Sequence, residues 1–477
     1  MKKGWKILMA VLLVLLLPVG VLVRGWMLPE FYGDTYYAVL AKMHQRLETA
    51  DGPKILVVGG SNVAFGLNGA LLEELLEEQG YNYTVCPFGL YAAVGTGAML
   101  DLARDDLGQG DIVVLAMEPT SETMSEYFGA SAFWKCAEEA PEMLLELGKQ
   151  RQAAVFGNYV PYLQERLEIE RSGILPGGQG VYAADSFDER CDLVFDRAGN
   201  AMTLGWDTSS PVDLETAVIS RDFAGELDAF CAAAEQKGAR VVMSFSPVNR
   251  SALTDDSRET VAAFFQRCNE SVSCPVISDP NRYILDSGWF YDNNFHLNSS
   301  GAEVRTVLLA EDLLAFLGCY REVTYELPEM PDPIAVLPEG EADAGMFRFR
   351  PVDGGWLVSG LTEAGLEQTV LTVPAVYEGK PVAGLTAEAL KGAVRLEELH
   401  LPETVEALPD GLFRECVNLT RLVLEHRERV CSVTERTFAG AEQLRVYVPR
   451  EAFHLYRDGY GCEENPWTVW LDRIELF

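Results

Sequence analysis

Short, continuous apolar runs alternate with helical patterns along the chain from about residue 50 to about residue 320. Three of these runs, at Ile55–Val58, Asp111–Met117 and Arg240–Ser246, predict buried strands. Leucines recur on one face of the segment Asn68–Gln79, and a second helical pattern covers Arg221–Gln236. Apolar strands separated by helices are typical of a parallel sheet that is covered on both faces. We therefore predict an α/β fold for this region.

Polar residues follow the ends of these predicted strands. Ser61 and Asn62 come directly after a Gly-Gly pair at the end of the first strand, and Asn249 follows the third. In an open α/β sheet, functional groups gather at the carboxyl ends of the strands. We therefore expect these residues to lie along one edge of the sheet.

The histidines narrow the choice of chemistry. The chain has five, and His296 is the single one between the first predicted strand and the C-terminal part of the chain. Ser61 on a tight turn, a distant histidine and a nearby carboxylate, Asp292, are the parts of a serine nucleophile system. An ordinary strand-end turn is the other interpretation of the Gly-Gly-Ser sequence. A phosphate-binding loop is disfavoured, because neither a Walker lysine nor a Gly-x-Gly-x-x-Gly fingerprint is present.

The N-terminus carries an uncharged apolar stretch from Ile7 to Val23, preceded by three lysines. About 17 residues at about 1.5 Å each span roughly 25 Å, which suits a short transmembrane helix. Lysines ahead of such a helix place the N-terminus in the cytoplasm. We expect residues 1–28 to anchor a single-pass protein whose bulk lies outside the cell membrane. A cleaved signal peptide is the alternative, although no Ala-x-Ala site follows the apolar run.

Charge and cysteine content exclude some classes of partner. Acidic residues outnumber basic residues by 72 to 38. We expect no nucleic-acid partner, because no basic stripe is available to displace counterions from phosphates. The ten cysteines are scattered without a Cys-x-x-Cys pair. We therefore expect mostly buried free thiols, no bound metal and no cofactor.

Beyond a linker rich in proline and glutamate, at residues 323–342, the chain repeats itself. Leu399 is matched 23 residues later by Leu422, and a third copy follows after about 25 more residues. This period is typical of leucine-rich repeats, in which neighbouring units stack over a shared core and each supplies one strand to a common sheet. We assign residues 343–477 to a repeat domain.

The repeats resemble the BspA-type leucine-rich repeat family, whose units run roughly as Ala-Phe-x-Gly-Cys-x-x-Leu-x-x-Ile-x-Leu-Pro. The matching stretches are Ala389–Pro402, Leu412–Leu424 and Thr437–Pro449, and Val446–Tyr456 resembles the closing cap of that family. The resemblance implies a module that binds a protein or surface ligand and has no chemistry of its own.

Residues 29–322 resemble the SGNH, or GDSL-like, hydrolase superfamily. Its first block, a strand followed by Gly-Asp-Ser or a variant, matches the turn at Ser61. Its second block matches Gly89, and its last block of Asp and His matches Asp292 and His296. The resemblance implies a flavodoxin-like three-layer α/β/α domain in which Ser61 is the nucleophile, His296 the base and Asp292 its orienting group. The backbone N–H groups of Ser61 and Gly89 would form the oxyanion hole.

Two positions depart from the pattern of this superfamily. The usual spacing Asp-x-x-His is longer by one residue here, which keeps Asn293 in view for the orienting role. The third block, normally Gly-x-Asn-Asp, lacks its asparagine, and Glu118 stands near that place. Loss of one oxyanion donor costs roughly 3 kcal/mol of transition-state stabilisation. Asn62 and Asn249 are further candidates for lining the site.

The anchor and the motifs together resemble the envelope acyl-transfer branch of this superfamily. The resemblance implies a membrane-anchored, extracytoplasmic serine esterase or O-acyltransferase that acts on acyl groups of cell-envelope or extracellular glycans. The repeats would dock it to a surface polymer or partner. Hydrolysis and transfer share an acyl-serine intermediate, so the sequence does not separate them. The alternative is a surface adhesion or scaffold protein whose α/β domain is catalytically inactive.

Overall fold

The computed structural model describes most of the chain between residues 20 and 476. The described residues are 20, 23–25, 27–176, 180–202, 205–207, 209–321, 323–331, 344–427, 429–434, 436–441, 443–458 and 466–476. The predicted membrane anchor falls almost entirely outside this set, as does the second half of the predicted linker. None of the helices within these ranges has both the length and the apolar character that a membrane crossing requires.

A four-stranded parallel sheet forms the centre of the N-terminal part. Its strands are β1 (Lys54–Val58), β2 (Thr84–Phe88), β3 (Ile112–Leu115) and β4 (Arg240–Met243). Their order is β2-β1-β3-β4, and each neighbouring pair is parallel. The predicted α/β class with a parallel sheet is confirmed. The sequence did not reveal β2, because Pro87 interrupts its apolar run; proline is tolerated here because β2 is an edge strand.

Helices cover both faces of this sheet. The helices of the N-terminal part are α1 (Val39–Thr49), α2 (Ser61–Gly66), α3 (Gly69–Glu77), α4 (Thr96–Ala103), α5 (Ala130–Cys136), α6 (Met143–Glu146), α7 (Lys149–Gly157), α8 (Tyr159–Ser172), α9 (Arg221–Gln236), α10 (Arg258–Ser271) and α11 (Ser299–Phe316). Alternate residues of β1 point into two different cores. Ile55 and Val57 belong to the core that includes α3 and α11, whereas Leu56 and Val58 belong to the core that includes α1, α4 and α9. The sheet is therefore the middle of three layers.

A short parallel pair of strands, β5 (Val248–Asn249) and β6 (Ile284–Leu285), lies beyond β4 in the chain. The backbone N–H of Asn249 donates to the carbonyl of Asn294 at 3.0 Å. This bond ties β5 to the turn that precedes α11.

The C-terminal part contains two further sheets. Its strands are β7 (Phe347–Val352), β8 (Gly355–Leu361), β9 (Val370–Thr372), β10 (Val376–Tyr377), β11 (Lys380–Leu385), β12 (Glu398–Leu401), β13 (Arg421–Leu424), β14 (Arg445–Val448) and β15 (Ile474–Leu476). Its short helices are α12 (Glu363–Leu366) and α13 (Phe453–Asp458).

The repeats form a parallel sheet of order β15-β14-β13-β12-β9. Leu399 pairs with Leu422, and Leu422 pairs with Val446, so successive units are offset by 23 and then 24 residues. These side chains are buried in one shared core, as the repeat pattern predicts. The sheet of order β10-β11-β8-β7 was not predicted, and neither was β15, which pairs with β14 beyond the predicted cap. The described cysteines are all free thiols, and all but Cys319 are buried.

Candidate active site

The carboxyl ends of β1 and β3 lie side by side at the point where the strand order reverses. Val58 pairs with Leu115, and the backbone N–H of Ala116 donates to the carbonyl of Val58 at 2.7 Å. Ser61 and Glu118 each stand three residues beyond this pair, and Ser61 Oγ lies 3.4 Å from Oε1 of Glu118. Ligands and reacting groups collect at such a switch point in α/β sheets.

Hydrogen bonds from the side chain of Asn62 stabilise the turn that carries Ser61. Oδ1 of Asn62 accepts the N–H of Gly60 at 2.9 Å, and Nδ2 donates to the carbonyl of Ala116 at 2.8 Å. A Cβ on Gly60 would lie 2.6 Å from Oε1 of Glu118, so a larger residue would displace that carboxyl group. Ser61 is thereby held at the first position of α2, half-buried. Both groups of the Asn62 amide are therefore engaged within the turn.

Gly89 packs against the same turn. A Cβ on Gly89 would lie 2.7 Å from the carbonyl oxygens of both Gly59 and Gly60, so only glycine fits this position. The backbone N–H groups of Ser61 and Gly89 donate to no other described residue. Two such N–H groups beside a serine hydroxyl are compatible with an oxyanion hole. The structure thus places Gly89 against the turn of Ser61, and these are the two residues that the family resemblance assigns to this role.

Asp292 holds the imidazole of His296. Nδ1 of His296 lies 2.7 Å from Oδ1 of Asp292, whose second oxygen accepts the hydroxyl of Tyr182 at 2.6 Å. Burial alone would raise the pKa of Asp292, but the charge of His296, these hydrogen bonds and the charge of Arg429 lower it below its ordinary value. The ionised carboxylate fixes the ring, so that Nε2 is left to act as a base.

A turn absorbs the extra residue between Asp292 and His296. Oδ1 of Asn293 accepts the backbone N–H of Phe295 at 2.8 Å and that of His296 at 2.9 Å. Asn293 therefore shapes the turn. Asp292, and not Asn293, contacts the imidazole.

Phe65 supports His296 from the helix that carries Ser61. The phenyl and imidazole rings stack with their centroids 3.7 Å apart and their planes inclined by 8°. Residues four apart share one face of a helix, so the stacking holds His296 on the face of α2 that bears Ser61. Nε2 of His296 is buried and has no hydrogen-bond partner among the described residues. Sequence analysis missed Phe65, although its spacing of four from Ser61 was an available signal.

The hydroxyl of Ser61 points towards Glu118 in this structure. Ser61 Oγ donates to Oε1 of Glu118 at 3.4 Å, and the same oxygen accepts the N–H of Asn62 at 3.0 Å. Burial raises the pKa of Glu118 to about 7, while the hydrogen bond from Asn62 opposes this change. No hydrogen bond joins Ser61 to His296, so the contact expected between nucleophile and base is not formed here.

The side chain of Asn249 bonds to neighbouring loops. It is fully buried, donates to the carbonyl of Gly205 at 2.8 Å and accepts the hydroxyl of Ser287 at 2.9 Å. None of its described hydrogen bonds reaches Ser61 or His296. Asn249 therefore supports the loops around the site.

One group of possible metal ligands lies away from these residues. The ligand atoms of His44, Glu48 and Asp106 all lie within 4.8 Å of one another. Nε2 of His44 also lies 2.9 Å from Oε2 of Glu146, so contact with this further carboxyl group already occupies the imidazole nitrogen. The expected absence of a metal and a cofactor remains a prediction.

Comparisons with known proteins match only a small part of the chain. No protein-family model matches the chain, and no curated protein does. Among solved structures, the chain is similar to a leucine-rich repeat protein of T. pallidum, at 18% sequence identity and a TM-score of 0.15. The alignment covers 24% of this chain and 66% of that chain, just under two thirds of its length. The resemblance of residues 29–322 to the SGNH hydrolases remains a prediction.

Proposed function

We propose that the protein is an extracytoplasmic, membrane-anchored serine esterase or O-acyltransferase with an SGNH-like, flavodoxin-like catalytic domain. The observation that carries this proposal is the placement of His296. Asp292 holds one ring nitrogen at 2.7 Å, Phe65 stacks on the ring, and the other nitrogen is buried without a described partner. A buried imidazole nitrogen that is left unpaired beside a serine-bearing turn is the arrangement that a general base requires.

The chemistry follows from these positions. Ser61 Oγ attacks the carbonyl carbon of an acyl ester, and Nε2 of His296 accepts the hydroxyl proton. The carbonyl oxygen becomes negatively charged and is held by the N–H groups of Ser61 and Gly89. The tetrahedral intermediate then collapses, and the leaving alcohol takes its proton from His296. Water resolves the acyl-serine in an esterase, and a sugar hydroxyl resolves it in an O-acyltransferase.

The substrate class is drawn from the resemblance and the predicted location. An anchor that places the bulk of the chain outside the membrane gives it access to acylated glycans of the cell envelope or to extracellular glycans. The repeats are proposed to dock the enzyme to such a polymer or to a surface protein. The net charge of −34 makes nucleic acid an unsuitable partner.

Turnover of acetyl esters tests this proposal. The full-length protein, purified in detergent, is assayed on 4-nitrophenyl acetate and on an O-acetylated oligosaccharide with and without an acceptor sugar. We expect Ser61→Ala and His296→Ala to abolish turnover. Ser271→Ala is the matched control, because the hydroxyl of Ser271 bonds Arg267 within its own helix, and it should retain full activity. If Ser61→Ala turned over these esters as fast as the wild type, the proposal would be rejected.

One observation favours a second candidate, a catalytically inactive α/β domain in a surface adhesion or scaffold protein. The hydroxyl of Ser61 is engaged with Glu118 instead of His296, and an acidic residue stands where the superfamily has an amide donor. A folded protein that turns over no ester but binds a surface polymer through its repeats would support this alternative.

A further inference from the structure

We propose that Glu118, as the neutral carboxylic acid, donates the third hydrogen bond to the oxyanion that forms when Ser61 attacks an acyl group. The proposal rests on the function proposed above and names the group that replaces the missing asparagine. It makes the reactivity of Ser61 depend on the protonation of one buried carboxyl group.

Glu118 lies close to the hydroxyl of Ser61. The pairing of Val58 with Leu115 brings together the segments that follow β1 and β3, and Glu118 stands in the second of them, near the place of the superfamily's asparagine. Oε1 of Glu118 lies 3.4 Å from Ser61 Oγ, and it touches the turn closely enough to exclude any side chain at residue 60. The new carbonyl oxygen would be two bonds away from Ser61 Oγ. Glu118 is therefore within reach of that oxygen.

The second carboxyl oxygen of Glu118 can hold the proton that is donated. Oε1 already accepts the N–H of Asn62, whereas Oε2 makes no hydrogen bond to any described residue. A proton on the carboxyl group would therefore reside on Oε2, where it can be donated. The ionised form would instead place a second negative charge against the oxyanion and hold the hydroxyl proton of Ser61 away from His296. Only the neutral form assists the reaction.

The surroundings of Glu118 favour that neutral form. Glu118 is 3% exposed, and burial raises its pKa to about 7. The charge of Glu122 on the same segment raises the pKa of Glu118 further, whereas the hydrogen bonds from Asn62 and Ser61 lower it. Tyr36 lies near Glu118 but is neutral at this pH, because its own pKa is raised well above the ordinary value. No arginine or lysine pairs with Glu118 among the described residues. A buried carboxylic acid that stays neutral near pH 7 is a known kind of oxyanion donor.

The pH dependence of Ser61 phosphonylation tests this inference. The rate of labelling by a fluorophosphonate is measured by intact mass from about pH 5 to about pH 9 on the full-length protein in detergent. Glu118→Gln keeps the shape and a permanent N–H donor, and Glu118→Ala removes the group. Glu126→Gln is the control, because Glu126 is an exposed carboxylate of the same segment that bonds to Ser220.

We expect the wild-type labelling rate to fall as the pH rises through about 7, as Glu118 loses its proton. Glu118→Gln should lose this alkaline fall, and Glu118→Ala should label about 100-fold more slowly than the wild type below neutral pH. Glu126→Gln should keep the wild-type profile. Equal labelling of Glu118→Ala and wild type near pH 6, or an unchanged alkaline fall in Glu118→Gln, would overturn the inference while Ser61 still reacts. If the folded wild type were not labelled at any pH, the proposed function itself would be contradicted. The inference about Glu118 would then fail with it.

Discussion

The phenyl ring of Phe65 lies flat against the imidazole of His296, with the two centroids 3.7 Å apart. Replacing Phe65 by leucine removes the flat surface and leaves His296 free to rotate about its bond to Asp292. We expect Phe65→Leu to lower the rate of Ser61 labelling about tenfold and the free energy of unfolding by about 1 kcal/mol. Labelling kinetics and denaturant unfolding measure the two effects.

Phe230→Leu is the matched control, because Phe230 is equally buried in the same core but belongs to α9 and has no ring contact with His296. It should lose similar stability and keep the wild-type labelling rate. Equal loss of labelling in both variants would mean that Phe65 acts through general stability and not through His296.

Tyr182 orients Asp292 through a hydrogen bond of 2.6 Å to the oxygen that His296 does not use. We expect Tyr182→Phe to lower ester turnover about tenfold or more, because a hydrogen bond to a charged group contributes about 1.5 to 3 kcal/mol. Tyr283→Phe removes an equivalent bond to Asp312 away from the site and should leave turnover unchanged. Unchanged turnover in both variants would show that the bond from Tyr182 is not needed for the base.

The raised pKa of Glu118 has a consequence for stability. Its folded-state pKa of about 7 lies above the ordinary value of 4.5, so the folded state binds a proton that the unfolded state has already released. Stability from this group is therefore lost as the pH rises from about 4.5 through about 7, by up to about 3 kcal/mol. Glu118→Gln should flatten this part of the curve of unfolding free energy against pH. The same slope in wild type and variant would contradict the assigned ionisation.

The repeat domain touches the segment that supports the site. The guanidinium of Arg429 donates to the carbonyl of Ala201 and to Glu406, both at 2.9 Å, and the N–H of Ala201 donates to the carbonyl of Tyr291 at 2.7 Å. Tyr291 directly precedes Asp292. We expect Arg429→Gln to increase deuterium uptake in residues 199–202 and 290–297, because this chain of hydrogen bonds is broken.

Arg414→Gln serves as the control for Arg429, since Arg414 is an exposed arginine of the same repeat domain. Its exchange pattern should match the wild type. Unaltered exchange near Asp292 in Arg429→Gln would show that the repeats do not stabilise the candidate site.

The sequence predicted those strands and helices that are determined by a local pattern of apolar and polar residues. Strands β1, β3 and β4 were found because each is a continuous apolar run, and the bounds of α9 agree because Ser220 caps its start. The mixed sheet of β7, β8, β10 and β11 was missed because its strands carry charged and polar residues in irregular alternation, as in Phe347–Val352.

The sequence predicted the residues of the candidate site that lie in recognisable motifs. It did not predict the contacts that depend on packing between distant segments. Ser61, Asp292 and His296 have recognisable spacing, but the stacking of Phe65 and the bond from Tyr182 depend on contacts between distant segments. The engagement of Ser61 with Glu118 follows from the register of β1 against β3, which sequence pattern does not specify.

Site mapping of a fluorophosphonate adduct tests the role of Ser61 most directly. The full-length protein is labelled below neutral pH, digested and analysed by mass spectrometry beside Ser61→Ala and His296→Ala, with folding of all three confirmed by circular dichroism. We predict one adduct, on the peptide that contains Ser61, and its loss in both variants. A folded wild type without an adduct, or an adduct that persists in Ser61→Ala, would contradict the assignment of Ser61 as an activated nucleophile.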